Sequence, residues 1–267
     1  MIKYKILLLL FFLWSFNTFS QNKQVSVQVS TFKLKAPQLN TEKKIWLYLP
    51  QNYATSNKKY SVIYMHDAQN LFDSESSYSG EWNIDEKLDS LQAQVIVVGI
   101  EHGNEKRIEE LTPFKNEKYG GGKADDYLEF IVKTVKPKID STYRTKPDAK
   151  NTLIAGSSLG GLTSFYATLK YPDIFGKAVV FSPSFWFSDE IYNYAQSREK
   201  IKSKIYFMCG DNESADMVKD LNKMENLINS KRRYCLHLNE KKIVKGGQHN
   251  EKLWRDGFVK AIQWLKF

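Results

Sequence analysis

The segment "NTLIAGSSLGGLTSFYATLKYP", residues 151 to 172, constrains the fold more than any other part of the chain. An apolar run, Thr152 to Ala155, enters Gly156-Ser157-Ser158-Leu159-Gly160, and a helix-like pattern follows at once. A chain that turns from strand to helix this sharply holds its central residue in a strained backbone conformation. Glycines two residues to either side then avoid collision, and the hydroxyl of Ser158 projects from the sheet edge. The pattern is G-x-S-x-G in the strand-turn-helix context that gives it meaning, so Ser158 is the candidate nucleophile. A phosphate-binding loop would need Gly-Lys-Ser/Thr next, and the sequence lacks it.

The same alternation recurs along the chain. Strand-like runs occupy Lys44 to Leu49, Ser61 to Met65, Val95 to Ile100, Thr152 to Ala155, Ala178 to Phe181, Lys204 to Met208 and Tyr234 to Val244. Helical stripes lie between them: Tyr127, Phe130, Ile131 and Val135 in one segment, and Met217, Leu221, Met224 and Leu227 to Ile228 in another. Strands alternating with helices predict an α/β fold, a mostly parallel central sheet with helices on both faces. Residues 21 to about 40 are polar and lead into the first strand pair. With no internal repeat or linker, residues 21–267 read as a single domain.

Residues 1–20 read as a signal peptide. Lys3 and Lys5 precede an apolar run from Ile6 to Trp14, and small polar residues follow up to Ser20. A bilayer span needs about 20 apolar residues, so this run predicts export and cleavage, with no stable membrane anchor. Formal net charge is +9, but the lysines are dispersed, and the densest cluster, "SKRRYC" at 230–235, reads as a solvated face. Nucleic acid is not an expected partner. Two cysteines, Cys209 and Cys235, permit a disulfide without implying a framework, and their pairing is left open.

A serine hydroxyl needs a base. In hydrolases with this elbow the chain order is serine, acid, histidine, which excludes His66 and His102 and leaves His237 and His249. His237 sits inside a strand pattern, whereas His249 follows "VKGGQ", where a Gly-Gly turn can bring an imidazole over the serine. His249 is therefore the expected base. Asp211, Glu213 and Asp216 compete for the acid in "CGDNESAD". Asp211 would suit a turn and Asp216 a helix start, so spacing alone leaves the choice open.

Taken in order, "YMHDAQNLFD", "EWNID", "VGIEHGNEKRIEELTPF", "IAGSSLGGLTSFYATLKYPDIFGKAVVFSPSFWF", "MCGDNES" and "GGQHN" resemble one branch of the α/β-hydrolases. That esterase branch contains esterase D-like proteins, feruloyl and acetylxylan esterases and enterochelin esterases. The landmarks span residues 64 to 250. The resemblance implies the α/β-hydrolase fold and puts the acid at Glu213, with Asp211 in reserve, since many relatives carry aspartate there. It also gives a role to the polar loop "HDAQN". Acyl transfer passes through an oxyanion held by backbone N–H groups, one from the residue after the nucleophile, Leu159, and one from a loop after an earlier strand. Ala68 is the expected second donor, with His66 and Asp67 holding the loop's shape. Trp82, Arg107 and Trp186 are expected near the substrate.

The sequence thus predicts an exported serine carboxylic-ester hydrolase. Ser158, His249 and Glu213 would form the triad, and the acyl-enzyme would be released by water. No cofactor and no metal are called for. The partner would be a small-molecule or polysaccharide-linked ester, a siderophore ester or another small ester. Because the base works as neutral imidazole, activity should fall as pH drops through the histidine range. The alternatives are an acyltransferase on the same scaffold and a non-catalytic binding protein with a hydrolase fold.

Overall fold

The structure, a computed structural model, describes residues 28–232 and 238–267. The expected signal peptide, Cys235, His237 and the first residues of the last predicted strand lie outside those segments. Among the described residues eight strands build the main sheet: β1 (Val29–Ala36), β2 (Thr41–Tyr48), β3 (Ser61–Met65), β4 (Val95–Ile100), β7 (Thr152–Ser157), β8 (Lys177–Phe181), β9 (Lys204–Gly210) and β10 (Asn239–Val244). Two short strands, β5 (Lys115–Asn116) and β6 (Gly120–Gly121), pair separately. The order across the main sheet is β1-β2-β4-β3-β7-β8-β9-β10. The β1/β2 and β2/β4 pairs are antiparallel and the rest parallel. This is the α/β-hydrolase fold that the resemblance implies.

Strand periodicity divides the core in two. Val62 and Tyr64 of β3, with Ile96, Val98 and Ile100 of β4, face one apolar cluster, while Ile63, Met65, Val95 and Val97 face the other. Helices α3 (Ala124–Phe130), α4 (Lys136–Thr142), α5 (Leu159–Lys170), α6 (Glu190–Ser197) and α7 (Met217–Ser230) contribute to the first cluster. Helices α1 (Ile84–Ser90) and α8 (Glu251–Leu265) contribute to the second, and α2 (Arg107–Glu110) lies in the loop after β4. The helical segment expected around Tyr127, Phe130, Ile131 and Val135 is interrupted by a π turn at Ile131–Val135. Its cause is Pro137, which cannot donate to the Lys133 carbonyl and whose ring crowds it, so the preceding turn widens.

Residues 29–36, read from sequence as part of a polar lead-in, form an edge strand. Phe32 and Leu34 pack against the core while alternate residues face water, a pattern that an antiparallel edge tolerates. No helix of the described residues is long and apolar enough to cross a membrane.

Candidate active site

Ser158 sits where β7 ends and α5 begins, at φ 56° and ψ −121°. A non-glycine residue at positive φ is strained, and the surroundings must hold it there. The Ser158 N–H donates to Phe181 O at 3.0 Å, and its carbonyl accepts from Leu162 N and Ser184 N at 3.0 and 3.1 Å. The flanking glycines make the turn possible. A Cβ on Gly156 would lie 2.8 Å from the Gly160 carbonyl carbon and 2.9 Å from His66 Cδ2, and one on Gly160 would approach Asp67 Oδ2 and His66 Cβ at 3.3 Å. The "HD" of the first polar loop is thus packed directly against the elbow.

His249 Nε2 lies 3.0 Å from Ser158 Oγ, and His249 Nδ1 lies 2.7 Å from Glu213 Oε2. The imidazole is partly exposed; the Glu213 side chain is 1% exposed. Glu213 Oε1 accepts from Gly210 N at 2.5 Å and from Ser182 Oγ at 2.7 Å. The other acids of this segment are used elsewhere. Asp211 Oδ1 accepts from Gly246 N at 2.6 Å, tying the β9 loop to the turn before His249. Asp216 precedes α7, exposed, with Lys219 Nζ 3.6 Å away. Among the three carboxylates that spacing left open, Glu213 is the one beside the imidazole.

The loop after β3 mirrors the elbow. Asp67 also has positive φ, 56°, and Ala68 opens a short 3₁₀ turn, Ala68–Asn70, as Leu159 opens α5. The first N–H groups of a helical turn have no acceptor within that turn, which applies to Ala68 and Leu159 alike. Asp67 is held by Arg107, whose Nε and Nη2 donate to Oδ1 and Oδ2 at 2.8 and 2.9 Å. Burial opposes ionisation of Asp67, but the guanidinium outweighs it and holds the carboxyl below its ordinary value. His66 Nδ1 lies 2.8 Å from Tyr127 Oη, and burial pushes its imidazole down to about 4, so it is neutral at physiological pH.

A cleft of about 830 Å³ opens over Ser158 and His249. Most of the residues around it are polar, among them Gln69, Asn70, Glu75, Ser76, His102, Asn104, Arg107 and Glu251, but carbon supplies slightly more of the exposed lining than polar atoms do, with Trp254 and Tyr78 as aromatic surfaces. Arg107 reaches the cleft, but two of its nitrogens are committed to Asp67. Trp82, expected near the substrate, does not line the cleft. It is 3% exposed and packs on Phe181 and Trp254, because the chain two residues before α1 turns this side chain into the second core cluster. Trp186 is 54% exposed and stands edge-on to Tyr119, also outside the cleft lining. Sequence reasoning missed Ser182, Ser184, Glu251 and Trp254. The first two lay in view within "FSPSFW", whose polar residues follow a buried strand as those of "HDAQN" do.

Cys209 is buried, and burial pushes its thiol up to about 12, so it carries no chemistry at neutral pH. The side chains of His66 and Asp67, expected to hold the loop's shape, contact Tyr127 and Arg107.

A strand-end serine reached by an imidazole, on the carboxyl edge of a mostly parallel sheet, defines a serine hydrolase of the α/β class. The family described as "Putative esterase" matches residues 36–265. The chain belongs to this family and is a carboxylic-ester hydrolase. A Bacillus subtilis (strain 168) protein, "Uncharacterized protein YbbA", is 26% identical over 241 residues, covering 84% of this chain and 92% of that one. The crystal structure of BES protein from Bacillus cereus superposes with a TM-score of 0.73 at 18% identity, covering 94% of this chain and 99% of that one. That of the enterobactin esterase FES from Shigella flexneri, in the presence of enterobactin, gives 0.75 at 17% identity, covering 91% of this chain and 59% of that one. At such identities these structures report a shared fold.

Proposed function

We propose that the protein is an exported serine esterase in which Ser158, His249 and Glu213 act as a catalytic triad on a polar, hydroxylated ester. The observation that carries this reading is the unbroken chain from Ser158 Oγ through His249 to Glu213, with links of 3.0 and 2.7 Å. Ser158 Oγ attacks the ester carbonyl as His249 Nε2 takes its proton. Glu213 accepts the Nδ1 hydrogen, selecting the tautomer that leaves Nε2 basic and stabilising the imidazolium. The oxyanion is received by the N–H groups of Ala68 and Leu159, each the first of a helical turn and so lacking an internal acceptor. His249 returns the proton to the leaving alcohol, and water repeats the sequence on the acyl-enzyme.

The cleft lining supports the substrate class. Amide, hydroxyl and charged side chains make up most of the lining residues, beside a comparable area of exposed carbon, and a sugar-linked or other hydroxylated ester would give those polar groups hydrogen-bond partners that a lipid-like ester lacks. The resident charges are Asp67, Glu75, Glu251 and Arg107, and the Asp67–Arg107 pair largely cancels itself. Export rests on the basic-then-apolar pattern of residues 3 to 14.

The test is hydrolysis of p-nitrophenyl acetate by wild type and Ser158→Ala purified identically. The triad requires the variant to lose several orders of magnitude in kcat. Equal turnover by both proteins would remove Ser158 as nucleophile. In a parallel screen acetylated sugars should outrun p-nitrophenyl laurate in kcat/KM, and the reverse order would overturn the substrate class.

A further inference from the structure

Glu213 is oriented from behind by groups that the triad itself does not include. Its Oε2 faces His249, and its Oε1 takes two donors, Gly210 N–H and the hydroxyl of Ser182. Ser182 Oγ in turn lies 2.8 Å from Trp254 Nε1. An indole N–H can only donate and an ionised carboxylate can only accept, so the hydroxyl accepts from Trp254 and its single proton points at Glu213. The direction of the relay is therefore fixed by donor inventory, from Trp254 to Ser182 to Glu213.

Two features mark this as more than incidental packing. Ser182 occupies positive φ, 42°, immediately after β8, where a serine carries strain; its N–H is anchored to Met208 O at 2.7 Å and the residue is fully buried. Trp254 is 5% exposed, its ring meets the His249 ring edge-on at 5.0 Å and 90°, and it forms part of the cleft wall. One side chain on α8 thus touches the base directly and the acid through a hydroxyl. Asn250 caps α8, accepting from Leu253 N at 3.1 Å, and so fixes the first turn that presents Trp254.

We infer that Trp254 and Ser182 are positioning residues of the triad: the relay holds Glu213 so that Oε2 alone is offered to His249, while the indole ring limits the imidazole's tilt. The inference rests on the triad reading above. With Oε1 saturated, the carboxylate cannot turn its other oxygen to the imidazole without abandoning two donors. Those donors also draw charge from the carboxylate, which moderates its pull on the imidazolium. Removing them leaves a more basic carboxylate, which favours protonated imidazole, so the acidic limb of the rate profile should move to higher pH.

The experiment compares Trp254→Phe, Ser182→Ala and the double variant with wild type and Ser158→Ala, measuring kcat, KM and the pH dependence of kcat/KM for p-nitrophenyl acetate. Thermal unfolding gives the folded fraction. Each single variant should lower kcat with KM little changed, Ser182→Ala by about tenfold or more through loss of a hydrogen bond to a charged group and Trp254→Phe by less, since its N–H reaches the acid only through the hydroxyl. The acidic limb should move to higher pH, and the double variant should fall no further than Ser182→Ala, because phenylalanine keeps an aromatic ring beside His249 and the lost indole N–H acts on the acid only through that hydroxyl. The downfield proton resonance of a carboxylate-bound imidazole should shift in Trp254→Phe, a readout that needs only this variant to fold. An unmoved limb and resonance with wild-type kcat, beside an inactive Ser158→Ala, would overturn the relay while leaving the triad standing. Multiplicative losses in the double variant would make the two residues independent and also overturn it. An active Ser158→Ala would instead overturn the triad itself.

Discussion

Arg107 offers a sharp test of how the loop proposed to receive the oxyanion is held. Its fork makes two charge-assisted bonds to Asp67 at 2.8 and 2.9 Å, and the side chains are 29% and 12% exposed. Replacing Arg107 by alanine leaves the Asp67 carboxylate near the base of the cleft without its cation. Breaking a fully buried pair costs about 3–5 kcal/mol. With Arg107 nearly a third exposed, water screens part of the interaction, and about 2 kcal/mol of stability is a fairer expectation. The effect on rate has a separate origin. Asp67 holds φ 56° just before Ala68, and once released it can relax towards an ordinary backbone conformation, turning the Ala68 N–H away. One oxyanion donor contributes about 3 kcal/mol, so kcat should fall by up to about 100-fold.

The assay is p-nitrophenyl acetate hydrolysis by Arg107→Ala and Arg107→Lys. This small neutral ester has no anionic group for a guanidinium to bind, so KM should hardly change and the loss should appear in kcat. Lysine keeps the charge but loses the fork and should fall between alanine and wild type. A raised KM with unchanged kcat would refute the reasoning and make Arg107 a substrate ligand. Wild-type kcat in a destabilised protein would refute it differently, by showing that the loop keeps its conformation without the pair.

Three further outcomes follow from buried groups. In Gly156→Ala the new methyl would meet the Gly160 backbone at 2.8 Å and His66 Cδ2 at 2.9 Å, so esterase activity should collapse and urea unfolding should show a loss of about 1–3 kcal/mol or more. Glu110→Gln leaves Lys43, 4% exposed and bonded to both Glu110 oxygens at 2.6 Å, as an uncompensated charge; a loss of about 3–5 kcal/mol is expected, with much of it recovered when Lys43 is also made methionine. His66 has a folded-state value of about 4 against an ordinary 6.5, so between those values the unfolded chain binds the extra proton and its stabilising contribution is lost as pH falls through that window. From pH 7.5 to 5 wild type should lose about 2 kcal/mol more than His66→Gln in parallel denaturant titrations, and equal losses would show that His66 protonates without penalty.

Much of this architecture was legible because its strands are covered on both faces. Ser61–Met65 and Val95–Ile100 have the limits that their continuous apolar runs mark, whereas β1 was hidden by a lysine-rich alternation that suits only an edge. The elbow was legible because glycine is demanded at fixed offsets from Ser158. Spacing alone did not single out Glu213, which the family resemblance supplied, since its selection depends on a loop that folds back to put Oε1 on Gly210 N. Nor could sequence distinguish Trp254 from Trp82. Trp254 belongs to the same buried stripe of α8 as Leu253 and Phe258, and only the helix's placement puts its ring against His249.

What assembles these pieces is the order of the strands. Asp67 follows β3, Ser158 follows β7, Ser182 follows β8 and Glu213 follows β9, and those four strands are consecutive neighbours in the sheet. Three of the four residues hold positive φ without being glycine: Asp67 at 56°, Ser158 at 56° and Ser182 at 42°. Each strand ends in a sharp redirection, and the redirected groups converge because parallel neighbours end on the same edge. Strain of this kind persists only where the surroundings over-determine it. Here the pinning bonds cross from strand to strand: Ser158 N to Phe181 O, Ser182 N to Met208 O, and His66 N to Ala155 O. The geometry of the site is therefore a property of the sheet's register, and the register is set by the alternation that sends Ile63 and Met65 to one core and Val62 and Tyr64 to the other. A slip of one residue in any of these strands would reverse both the buried face and the direction of the strained turn, so the same core packing that stabilises the fold also fixes how these groups meet at the sheet edge.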